Sequence, residues 1–86
     1  MYYLLKSGNV IRVAGGINDR IMFDRVGFID DNGDSHEITD LRWVVLPASW
    51  LESSLEAGIL QPAVRTFGGN WMLEAEYADI LIHRAE

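Results

Sequence analysis

An α+β domain is the fold class this sequence predicts, a small antiparallel sheet of about four or five strands with helices on one face. Three observations carry that reading. Short β-branched and aromatic runs separated by turn residues fill the first half of the chain. Pro47 followed by Ser49-Trp50-Leu51-Glu52 has the form of a helix start. Residues 71–85 carry apolar side chains at helical spacing. With 86 residues the chain suits a single compact domain, 1–86.

Taken in order, Tyr2 to Leu5 is an aromatic and aliphatic run, Ser7-Gly8-Asn9 is turn chemistry, and Val10-Ile11-Arg12-Val13 returns as the second arm of a hairpin. Gly15-Gly16 breaks the pattern, and Ile17-Asn18-Asp19-Arg20 makes a loop. Ile21 to Ile29 carries apolar residues on both parities. That suits a strand covered on both sides, or one that bulges near Gly27. Asp31-Asn32-Gly33-Asp34 follows, and Asn-Gly is the dipeptide of a two-residue type I′ hairpin turn. Ser35 to Leu41 is the returning arm, and Arg42 to Leu46 a further strand ended by Pro47.

A short helix is expected over 50–57, with Ser49 and Glu52 as a capping box and Gly58 as its left-handed stop. Val64 to Phe67 reads as a short strand after Pro62, and Gly68-Gly69-Asn70 as a turn. The segment 71–85 fits a strand through Trp71, Leu73, Ala75 and Tyr77, and a helix through Trp71, Ala75, Ala78, Ile82 and Ala85. Helix is the preferred reading, with Asn70 as N-cap, because Met, Leu, Glu and Ala are strong helix formers.

The chain holds 13 acidic and 7 basic side chains, a net charge of −6. The acidity is local: residues 30–40 contain Asp30, Asp31, Asp34, Glu37 and Asp40 and no lysine or arginine. A two-residue turn sets Asp31 opposite Asp34, and a three-residue turn sets Asp30 opposite Asp34. Carboxylates crowd in both cases. Arg20, Arg25 and Arg42 flank this run and are candidates to neutralise it across strands.

A deficit of positive charge argues against direct binding to nucleic acid. Without cysteine there is no disulfide, thiolate metal site or cysteine nucleophile. Asp30-Asp31-Asn32-Gly33-Asp34 lacks the glycine and glutamate spacing of an EF-hand, so no metal and no cofactor are expected. No Gly-x-Ser-x-Gly elbow or phosphate loop is present. His36 and His83 read as surface histidines, so no enzymatic activity is expected. No apolar run can span a membrane, and the opening Met1-Tyr2-Tyr3-Leu4-Leu5-Lys6 is too short for a signal-peptide core. The expected location is the cytoplasm.

Trp43, in an apolar run, reads as core filling, whereas Trp50, at the first turn of a short helix, reads as an exposed interface anchor. The functional expectation is a non-enzymatic acidic domain that binds a protein partner with a basic surface. Asp30, Asp31, Asp34, Glu37, Asp40 and Trp50 are its contact residues. Small acidic inhibitors of nucleic-acid-binding or nucleic-acid-processing proteins use this physics, and immunity proteins, antitoxins and phage anti-CRISPR proteins exemplify the class. The alternative is a structural or oligomerising module of a phage or mobile-element assembly, a homo-oligomer built through sheet edges and aromatic side chains.

Overall fold

The structure, a computed structural model, describes residues 1–16, 18–38 and 42–84, without the side chains of the last two. Among the described residues, seven strands and two helices follow in the order β1 (Tyr2–Leu5), β2 (Asn9–Ala14), β3 (Arg20–Ile29), β4 (Ser35–Glu37), β5 (Val44–Pro47), α1 (Ala48–Glu56), β6 (Leu60–Arg65), β7 (Trp71–Leu73) and α2 (Glu74–Arg84). The α+β class holds, with more strands than the four or five expected. All strands belong to one antiparallel sheet in the order β4-β3-β2-β1-β6-β7, with β5 paired to β3 beside β4.

Strand β6 starts before Pro62, earlier than the strand expected over Val64 to Phe67, and β7 takes the first residues of the segment expected to be helical. Pro62 sits in β6 opposite Tyr3, yet β7 pairs only with Ala63, Val64 and Arg65, so no rung of that second ladder falls on the proline. Segment 71–85 divides: Trp71–Leu73 is a strand and the helix begins at Glu74. Asn70 is therefore no N-cap. It closes the β6–β7 turn, its carbonyl accepting the Thr66 N–H and its own N–H donating to Thr66 Oγ1.

The predicted β1–β2 hairpin forms, with Gly8 at positive φ in its turn. Strand β3 is the spine of the fold. Its register against β2 slips between Val10 and Ile11, opposite Val26, which gives the bulge beside Gly27. Helix α1 starts two residues before the predicted 50. The expected capping box is absent: Pro47 is the N-cap, and no side chain bonds the first turn. The Ala48 N–H donates to the Asp19 carbonyl instead. The predicted stop holds. Gly58 has φ +73°, its N–H bonds the Leu55 carbonyl, and the Ile59 N–H bonds the Ser54 carbonyl, which is a Schellman motif.

Cross-strand register sorts the core into two faces. Tyr3, Ile11 and Leu60 are buried on one, with Leu5, Val13 and Phe23 around them and Trp50, Leu51 and Leu55 of α1 packed on top. The other face curls inward and holds Val10, Ala63 and Trp71, all buried. This curl brings β7 back towards β4 and leaves the sheet nearly barrel-shaped. The Trp71 backbone N–H donates to Ser35 Oγ at 2.9 Å, and Arg65 pairs with Glu37. Gly27 makes the closure possible, because a Cβ there would lie 2.5 Å from both the Trp71 Nε1 and the His36 carbonyl oxygen. The fully buried Asp24 is on the same face, held by two bonds from Arg12 at 3.0 and 3.3 Å.

The two tryptophan expectations are reversed. Trp50 is half-buried and stacks on Phe23 at 5.3 Å, because the first turn of α1 lies directly over β3. Trp43 is 44% exposed beside the edge strand β5, with Arg12 over its ring.

Candidate protein interface at the acidic hairpin

The turn between β3 and β4 is built by its own carboxylates. The Gly33 N–H bonds the Asp30 carbonyl and the Asp30 N–H bonds the Asp34 carbonyl, both at 2.9 Å. Gly33 has φ +85°, whereas Asn32 does not take positive φ, so the loop is the three-residue type and the expected type I′ turn does not form. Asp30 supplies the reason. Its Oδ1 accepts the N–H groups of Asn32 and Asp34, each at 2.9 Å, which draws the backbone around the aspartate.

Asp30 Oδ2 accepts a bond from His36 Nε2 at 2.8 Å. The His36 ring stacks on Phe28 at 4.5 Å, and the Arg25 guanidinium lies 5.6 Å from that ring. The His36 bond, followed by the Asp34 and Asn32 amides, holds the Asp30 carboxyl below the usual carboxylate value. His36 is thus engaged in shaping the turn. The side chain of His83 lies outside the described residues, and among those residues no cluster of three or more ligating side chains could hold a metal ion.

The six predicted contact residues separate. Asp30 is turned inward to the turn it builds. Asp31 and Asp34 are exposed at its tip. Glu37, exposed on β4, is paired with Arg65 from β6. Asp40 lies outside the described residues. Trp50 is at the other end of β3: from Phe23, on which it stacks, to Ile29 is roughly 20 Å of strand, so it takes no part in the acidic surface. Of the expected neutralising arginines, Arg25 lies near the turn, over the Phe28 ring on which His36 stacks. Arg20 lies opposite Pro47, and Arg42 beside Val44.

Sequence reasoning missed what adjoins the turn. Asp30 and Asp31 form one wall of an open cleft of about 390 Å³ whose other walls include Lys6, Gly8, Gly58 and the exposed Ile59. Arm β4 lies against the β6–β7 hairpin, whose turn repeats the geometry of the acidic one: Gly69 has φ +81°, and its N–H bonds the Thr66 carbonyl. Phe67 sits fully exposed in that turn. An aromatic residue inside Thr66-Phe67-Gly68-Gly69-Asn70, where turn formers suffice, was the available signal.

No protein-family model, curated protein or solved structure matches the chain. No helix among the described residues is long and apolar enough to cross a membrane.

Proposed function

We propose that the protein is a non-enzymatic binding domain whose acidic hairpin engages a basic surface on a protein partner. The observation that carries this reading is the pair Asp31 and Asp34, exposed at the tip of a turn that Asp30 locks from within. A pre-formed turn loses little conformational freedom on binding, so the carboxylates meet a cationic partner at small entropic cost. Exposed Ile59 in the adjoining cleft adds apolar area beside the charge. The partners that fit this chemistry are nucleic-acid-binding or nucleic-acid-processing proteins, whose phosphate-binding surfaces carry lysine and arginine. The function is inhibition or modulation of such a protein in the cytoplasm, of the kind exerted by immunity proteins, antitoxins and phage anti-defence proteins.

Affinity capture from the native host lysate tests the reading. At low salt the wild-type chain retains a basic protein, high salt releases it, and the double variant D31N/D34N fails to capture it. Capture that is indifferent to both salt and the double substitution refutes the role of the hairpin. A second reading, an oligomerising module, draws on α2, which packs on β6 and β7 and leaves Ile80, Leu81 and Ile82 exposed. Sedimentation of the chain alone separates the two: an oligomer dispersed by I80E/I82E supports that second reading.

A further inference from the structure

A second surface, at the opposite end of β3 from the acidic turn, has the reverse character. Strand β5 pairs with β3 through Phe23–Val44, Met22–Val45, Ile21–Leu46 and Arg20–Pro47. Among the described residues this is the one ladder β5 makes. Edge strands in soluble proteins are ordinarily guarded by charges, prolines or bulges. Strand β5 has one such guard, Pro47 at its end; the run Trp43-Val44-Val45-Leu46 before it carries no charge or proline, and Trp43, Val44 and Val45 are 44, 43 and 48% exposed.

Two shallow clefts border this strand, one on each face of the sheet. The first, about 360 Å³, is lined by Phe23, Arg25, Ile38, Arg42 and Val44. The second, about 220 Å³, is lined by Gly15, Gly16, Arg20, Met22 and Val45. Successive side chains of a strand point to opposite faces, so a strand laid along β5 would present its side chains alternately to the two faces that hold these clefts. Each cleft combines an apolar floor with arginine. Arg12 lies over Trp43 as well, so four of the seven basic residues of this acidic chain surround one edge strand.

We infer that the outer edge of β5 is a docking site for an extended segment of a partner protein, bearing apolar and acidic side chains and adding to the sheet as a further strand. Backbone hydrogen bonds to β5 supply affinity, and the two arginine-rimmed clefts select the side chains. Charge decides between this occupant and a second copy of the chain. A second copy would lay its own Trp43-Val44-Val45-Leu46-Pro47 along the edge, a run with no carboxylate to meet the arginines, whereas an acidic segment supplies one. The inference is independent of the acidic hairpin.

Selection of displayed random dodecapeptides against the full chain tests it, followed by NMR titration with the recovered peptides as synthetic probes. The expected peptides are rich in Asp, Glu and β-branched residues, and they shift the amides of residues 43–47. Their affinity falls at least tenfold for R20E/R25E and for the edge-guarding V45K, whose altered side chains are all exposed in the wild type. D31N/D34N binds them unchanged. Recovery of no peptide, recovery of basic peptides, shifts confined to other residues, or equal binding by R20E/R25E overturns the inference. So does a dimer of the chain alone that V45K disperses, since the edge would then belong to a second copy.

Discussion

The two ends of β3 hold their exposed surfaces in different ways. The acidic turn after Ile29 is satisfied from within: Asp30 accepts from two backbone amides and His36, and what remains for a partner is the charge on Asp31 and Asp34. Strand β5, on the Arg20–Phe23 end, is satisfied on one side, and what it offers is backbone and apolar surface ringed by arginine. The contrast teaches that a net charge of −6 describes neither end. In the two proposals, one end recognises by charge on a rigid loop, the other by main-chain geometry with charge as a filter. Both depend on β3, so substitutions that disturb one end and spare the other are the sharpest probes of the difference.

The largest expected effect comes from Arg12→Ala. Asp24 is fully buried, and Arg12 is its ionic partner. Removing the guanidinium strands a carboxylate in the interior, at a cost of about 3 kcal/mol. It also removes the cation over Trp43. Urea denaturation followed by tryptophan fluorescence reads the loss, and residues 43–47 should show the greatest rise in amide exchange. An unchanged midpoint would show that Asp24 folds without its partner.

Gly27→Ala comes next and strikes the acidic end. The added methyl group meets the His36 carbonyl and the Trp71 indole, so β4 must shift or Trp71 must leave its seat. Overpacking of this kind costs about 2 kcal/mol. The Ser35–Trp71 bond and the Arg65–Glu37 pair loosen together, whereas the β5 edge stays as it was. Peptides that bind β5 should therefore bind the variant with wild-type affinity, and a protein that binds the acidic hairpin should bind it less well. Equal loss at both ends would mean that β3 transmits the disturbance along its length.

How much of this was legible beforehand follows from where each interaction is made. The hairpin of β1 and β2, the bulge near Gly27 and the Gly58 stop rest on local alternation and on residues that tolerate positive φ, and the sequence displays both. The extents of β6 and β7 were obscured because Pro62 and Trp71 obey tertiary constraints. The proline is tolerated where a ladder lacks a rung, and the tryptophan is drawn into a slot opened by a glycine 44 positions away in sequence. The location of the acidic run was plain, but its division was not. Asp30 is consumed by a turn type that the Asn-Gly signal misassigned, and Glu37 by an arginine on another strand. The arginines around β5 could not be found from sequence, because they converge there only when β3 and β5 pair.

The smallest effect concerns pH and is confined to the acidic turn. Asp30 is held below the ordinary carboxylate value by His36 and by the Asp34 and Asn32 amides, so its charged form belongs to the folded turn. A carboxyl depressed on folding stabilises the fold at pH above its unfolded value of 3.8, and that contribution is lost as the pH falls through the lower, folded value. Chemical shifts of the Asn32 and Asp34 amides should therefore move together as the pH falls below about 4. The amides of residues 44–46, which bond to no carboxylate in the β3–β5 ladder, should not follow. Asp30→Asn should abolish the joint transition while leaving the β5 edge intact. A transition shared by both ends would tie the turn to global unfolding and remove its claim to be a locally built surface.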